Sequence, residues 1–422
     1  MSLGSIMEDS DRQAGTAVRG DALPSYLIVF FGALVALGPL SMDAYLPAIP
    51  LMAADFGVSI VSVNNTLSVF LIGYAAGQFF GGAFSDQLGR KRIGYIGLTL
   101  YIAATFAMAW ADTVDRMLLL RFFQAIGGGF STVICMASVR DIYPLEELGK
   151  RFATVTMIVL VAPLVAPALG AFLLPLGWES IFLFKTAYAV LLLCLYVAFV
   201  PETRPGAWRD LSLGAIFRQC GQVVARRVDG KLLPIRYAIA MALSTSVLMI
   251  FVTNASFVYM DYYGVSPGRF PLLFGLSVLG FMTMNLFSMK RLTSANAGLF
   301  FRRGLRIQIV AVALLLTALA AGFDGLALVV ALIVAAMSTL GLVGPAGSAR
   351  YMGFFENLAG SASSVYTTMM FSFGGLLGAL TGYFNDGSLL PMVAVMFAAS
   401  CLANVIVSTI PARPAVKVEV SG

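Results

Sequence analysis

The sequence predicts an all-α membrane protein of twelve transmembrane helices in two groups of six. Three observations carry that prediction: an excess of apolar residues, their arrangement in long runs, and a one-sided distribution of cations. Of 422 residues, 59% are hydrophobic and 11% charged, with mean hydropathy +0.89. A soluble chain carries about 25% charged residues, so this one lacks the polar side chains to cover a water-exposed surface. Runs near twenty residues indicate helices rather than the short alternating strands of a barrel.

Taken in order, the apolar runs cover 24–46, 60–82, 93–111, 117–140, 152–174, 179–200, 234–258, 270–289, 304–322, 325–347, 362–384 and 389–410. The turn between the ninth and tenth is marked only by GFDG at 322–325. Cationic clusters such as Arg90, Lys91, Arg92, Lys150, Arg151, Arg226, Arg227, Arg302 and Arg303 fall in loops on one side, and the opposite loops hold Arg116 and Arg269. The positive-inside rule therefore assigns both termini to the cytoplasm, which requires an even number of spans.

The organisation that follows is a tail (1–23), a six-helix bundle (24–200), a cytoplasmic linker (201–233), a second bundle (234–410) and a short tail (411–422). Leu213, Ile216, Phe217, Val223 and Val224 share one helical face of the linker. Beside its basic residues, that face suits an interfacial helix on anionic lipid; a partly ordered linker is the alternative. The polar first twenty residues do not resemble a cleavable signal.

The chain has no histidine, and Cys135, Cys194, Cys220 and Cys401 are scattered without a CxxC pair. No metal site or cofactor is expected, and proton chemistry falls to carboxylates. The net charge of +6 lies in loops beside a membrane rather than in a nucleic-acid-binding patch. GGG at 127–129 lies inside an apolar run, so it is not a phosphate loop, and no nucleophile motif argues for an enzyme.

GGAFSDQLGRKR (81–92) joins the second and third spans. Gly82, Asp86, Gly89, Arg90 and Lys91 match the GxxxDxxGRR/K pattern of the major facilitator superfamily. LGPLSMDAYLPAIP (37–50) resembles the first-span signature of its Bcr/CflA drug:proton antiporters. RFFQAIGGGFSTVICMASVRDIY (121–143) resembles the fourth-span motif, and APLVAPALGAF (162–172) the fifth-span antiporter motif, with Pro163, Pro167 and Gly170 as helix-packing positions. SFVYMDYYGVSP (256–267) and AGSASSVYTTMMFSFGGLLGAL (359–380) are also similar to that subgroup.

The resemblance implies two pseudo-symmetric bundles and proton-driven export of small amphipathic molecules from a bacterium across its inner membrane. Phenicol or bicyclomycin antibiotics, or an endogenous product such as a siderophore, are the implied substrates, and a monomer the implied state. Proton-coupled uptake, and a receptor or assembly factor without transport, stand as alternatives.

Asp43 is the residue that asks for a function. Nineteen residues beyond Pro24, it rises about 28 Å into the outer part of the membrane. Arg121 falls at similar depth on the fourth span, so an Asp43–Arg121 pair of small net stability is expected, one that exchanges a proton. Lys185 has two readings: a lysine snorkelling to the lipid surface, or a second cation facing the cavity. Tyr45, Gln124, Asn254, Phe257, Tyr259, Tyr366 and Met370 are candidate lining residues. At the cytoplasmic end, Asp86, Arg90 and Arg140 are expected to form a latch.

Overall fold

The computed structural model describes residues 26–143, 145–202, 213–293, 295–355 and 358–411. A helix occupies each expected span. α1 is built from four pieces, Tyr26–Val35, Leu37–Asp43, Leu46–Ala48 and Ile49–Phe56. After it come α2 (Ile60–Leu88), α3 (Arg90–Met108), α4 (Val114–Ile142), α5 (Leu145–Leu173) and α6 (Glu179–Phe199). The linker contributes α7 (Leu213–Ala225). The second half comprises α8 (Leu233–Ser256, continued as a π-turn over Phe257–Tyr262), α9 (Phe270–Arg291), α10 (Ala297–Ala320), α11 (Leu326–Ser338 and Leu340–Met352), α12 (Ala359–Tyr383) and α13 (Leu390–Ser408).

Ten of these helices are long and apolar enough to cross a membrane. The three that fall short are the linker helix α7, which is only thirteen residues long, α3, which opens on Arg90, Lys91 and Arg92, and α12, which is diluted by glycine, serine and threonine; the last two lie at expected spans. Both pack inside the bundles as the other spans do. The expected tails lie outside the described residues. In the linker, α7 turns Val223 inward and leaves Phe217 and Val224 exposed.

The first span differs from expectation in length. Its apolar run was expected to end at 46, yet helix continues to Phe56. Pro47 and Pro50 do not stop it, because each sits in the first turn of a new helical piece, where the missing N–H costs nothing. Asp43 is therefore about 20 Å from the Phe56 end and close to the middle of the span, not in its outer part.

Close packing within the first half uses bare backbone. A Cβ on Gly129 would stand 2.7 Å from the Tyr74 carbonyl oxygen of α2, and one on Gly127 would meet α3 at Gly97 and Tyr101. In α5, which carries Pro163 and Pro167 internally, a Cβ on Gly170 would overlap the Ala44 carbonyl of α1. α4 is thus wedged between α2 and α3, and α5 is pressed on the break in α1.

The halves meet along α2 and α12. Tyr74 stacks edge-on against Phe371 with ring centres 4.9 Å apart. Away from the basic loops, Ser256 of α8 donates to the Leu46 carbonyl at 2.8 Å. There a Cβ on Gly378 would lie 2.9 Å from Thr253 Oγ1 and 3.1 Å from Ser68 Oγ. Leucine at 378 must push α12 off α2 and α8. Gly378→Leu is expected to lose about 1–3 kcal/mol of stability, read as a lower thermal midpoint of the detergent-purified protein. Gly360→Ala, with nothing within 4 Å of its added carbon, is expected to leave the midpoint unchanged.

Candidate functional site

Four charged residues are buried among the described ones: Asp43, Arg90, Arg121 and Lys185. Three of them belong to one region of the first half, on α1, α4 and α6. α4 places Arg121 about two turns from its Val114 end, where the side chain turns inward and is fully enclosed. The guanidinium lies over the Tyr45 ring with Cζ 3.7 Å from its centre, and the Phe182 and Phe70 rings are 5.4 and 5.8 Å away. Nη1 donates to the Ser41 carbonyl at 3.1 Å and to Gln124 Oε1 at 2.9 Å.

The neighbours that hold Arg121 are themselves held. Gln124 Nε2 donates to Thr105 Oγ1 at 2.8 Å, and Thr105 donates to the Tyr101 carbonyl. The Ser41 hydroxyl donates to the Leu37 carbonyl, so in its 2.6 Å contact with Tyr101 the phenol is the donor. Thr66 donates likewise to Val63, which leaves Tyr45 to donate to Thr66 at 2.9 Å. The cradle therefore spans α1, α2, α3 and α4. Sequence reading missed Ser41, Thr66, Tyr101 and Thr105; the one signal for them is the spacing of Tyr101 and Thr105, one turn apart on the same face of α3.

Asp43 does not pair with Arg121. Its side chain is buried, 5% exposed, and among the described residues it makes no ion pair or hydrogen bond. The expected pairing fails because Arg121 is already committed to Tyr45, Gln124 and a backbone carbonyl two residues before Asp43. Lys185 does not reach the lipid surface. It is fully buried rather than snorkelling, with Nζ 4.1 Å from the Phe182 ring centre, 5.5 Å from that of Tyr45, and no hydrogen-bond partner. An aromatic ladder runs outward from it: Phe182 against Trp178, Trp178 against Phe56, with the indole donating to Asp55 at 2.7 Å.

The other candidate lining residues do not join this cluster. Asn254 donates to Thr381 at 2.8 Å, tying α8 to α12. Phe257 is buried, and Tyr259 packs edge-on against Phe251 and Phe270, so both are core residues of the second half. Tyr366 lies by Tyr351, and Met370 is half-buried one turn further along α12.

At the basic face, Gly89 takes φ +94° between α2 and α3, a conformation that favours glycine. This turn lets the Glu202 carboxylate accept from the backbone N–H groups of Arg90 and Lys91 at 3.0 and 3.1 Å. Arg90 donates through Nε to Asp141 at 3.1 Å and through Nη1 to Ser85 at 2.6 Å. Lys91 reaches the Val197 carbonyl. The expected partner Arg140 is exposed, and its neighbour Asp141 takes the role. Gly82 sits 4.0 Å from Ser364 across the halves, measured from its added Cβ. The Asp86 side chain lies outside the described residues.

A sequence profile of the Major Facilitator Superfamily matches residues 29–379. The chain belongs to this superfamily. It is 29% identical to a protein named bicyclomycin resistance protein homolog from Haemophilus influenzae, across 87% of this chain and 92% of that relative. It is 30% identical to the uncharacterized MFS-type transporter YdgK of Bacillus subtilis, across 90% and 93%. A solved D-xylose–proton symporter superposes with TM-score 0.72 at 15% identity, covering 92% of this chain and 97% of that one, which shows the shared fold. As a superfamily member the chain is a multi-pass membrane transporter of small molecules and not an enzyme.

Within this superfamily member, Arg121 holds four helices by its planar fork and its stacking. Lysine cannot reproduce either. Arg121→Lys is expected to cost about 2 kcal/mol, seen as a fall in thermal midpoint. Tyr45→Leu in the same background is expected to add little further, since both remove one stack.

Proposed function

We propose that the chain is a proton-coupled exporter of small amphipathic molecules, working as a monomer by alternating access in the inner membrane of a bacterium. The one-sided cations support a cytoplasmic location for both termini and the linker. The names of relatives, bicyclomycin resistance protein homolog and multidrug resistance protein, support drug-like substrates.

One observation carries the coupling: among the described residues Asp43 lies buried near the middle of α1 with no partner, while Arg121 bonds to the Ser41 carbonyl and Gln124 and stacks on Tyr45 instead. A carboxylate without a counter-charge is costly to keep ionised in a dry site. It holds a proton when sealed and gives it up when water or a cation reaches it. The rest of the cradle is fixed by hydrogen bonds, so the exchange is confined to one atom group. α1 is already broken at Ala44–Tyr45, directly after the acid, and that break allows Asp43 to turn without unwinding a continuous helix.

In proteoliposomes with an imposed pH gradient, wild-type protein is expected to release protons on adding a transported compound. Asp43→Asn is expected to abolish that release and gradient-driven export while keeping the wild-type gel-filtration profile. Full export by Asp43→Asn rejects the assignment.

The basic turn has its own expected outcome. Asp141→Asn removes the charge facing Arg90 and is expected to slow turnover more than it weakens binding, measured as a lower maximal transport rate at a near-constant half-saturating concentration.

A further inference from the structure

The α1–α4–α6 site holds more positive charge than its own acid can balance. Arg121 and Lys185 are both fully buried, and Asp43 is the one buried acid among the described residues. Their positions are linked through one ring: Arg121 Cζ is 3.7 Å and Lys185 Nζ 5.5 Å from the centre of Tyr45, which caps the separation of the two at the sum of those distances. Asp43 bonds to neither. The site also has a surplus of donors. Lys185 Nζ, Arg121 Nε and Arg121 Nη2 have no hydrogen-bond partner, while the surrounding groups are aromatic faces.

We propose that Lys185 makes this site select against organic cations and in favour of neutral molecules that present hydrogen-bond acceptors. The inference rests on the proposed reading of the chain as an exporter, with its substrate admitted to this cluster. Two buried cations face one buried acid that bonds to neither, so the cluster carries excess positive charge whichever form Asp43 takes. A like charge about 8 Å away at an effective dielectric near 20 weakens binding of a cation by roughly thirtyfold. A neutral molecule escapes that repulsion, and an acceptor on it satisfies donors that the protein leaves open. The walls supplied by Tyr45, Phe70 and Phe182 suit an aromatic body.

The test uses two compounds of one shape, triphenylphosphine oxide (neutral, acceptor-only) and methyltriphenylphosphonium (a cation). Binding to the purified full chain is measured by equilibrium dialysis, a readout that needs no proton movement. Wild-type protein is expected to bind the oxide at least tenfold more tightly than the phosphonium. Lys185→Met is expected to reduce that ratio below about threefold, and Lys185→Arg to keep it. A phosphonium that binds as well as the oxide, an oxide that does not bind, or an unchanged ratio in a folded Lys185→Met protein overturns the proposal. The wild-type comparison decides the matter even where the methionine variant does not fold. A tenfold preference without substrate-induced proton release leaves this inference standing and removes the coupling proposed above.

Discussion

A guanidinium enclosed in the membrane-spanning part of a protein needs compensation for its lost water, and Arg121 takes it from groups that carry no full charge. An unpartnered buried ion costs several kcal/mol. Here a tyrosine face, a backbone carbonyl and an amide oxygen supply the return, with a cation–π contribution of about 2 kcal/mol for a desolvated pair. Each of those groups is fixed by a further bond to α1, α2 or α3. The arginine therefore sets the relative positions of four helices, and those helices in turn keep its shell dry.

That arrangement separates what is rigid from what can move. Arg121 has no reason to swing towards Asp43, since doing so breaks its stack on Tyr45 and two hydrogen bonds. Asp43 loses nothing by moving, because it holds no partner, and the helix break after it lowers the cost of a local rotation. In the coupling proposed above, the acid moves against a fixed cation, instead of two mobile side chains moving towards each other. Lys185 behaves differently from Arg121. It touches ring faces only, so its charge is held in place by packing on Phe182 rather than by a network.

Much of this was legible in the sequence, and the remainder was hidden for identifiable physical reasons. Hydropathy located every span, because a membrane leaves few alternatives to a continuous apolar helix. It placed the end of the first at 46, ten residues short, because helix continues through Pro47 and Pro50, which sit in first turns of new pieces. Asp43, Arg121 and Lys185 stood out as charges within apolar runs. Tyr45 and Gln124 stood out only as lining residues, not as partners of Arg121, and Phe182 not at all, since such residues differ from ordinary packing only by what folds against them. Glu202 and Asp141 were similarly silent: each lies at a helix end rich in other polar residues, and 112 positions separate Glu202 from the Arg90 amide it caps.

The basic turn shows why a motif's residues do not by themselves give its mechanics. Among the described bonds, those of Arg90 and Lys91 reach Ser85, Asp141, Val197 and Glu202, on α2, α4, α6 and the segment just after α6. Those contacts clamp the basic ends of α2, α3, α4 and α6 into one body. A body that rocks must resist bending, or movement at Asp43 would dissipate before reaching the far end of a helix of about 40 Å. Under the transport cycle proposed above, this stiffness is what carries a rotation from the mid-membrane acid to the basic face, where α2 meets α12.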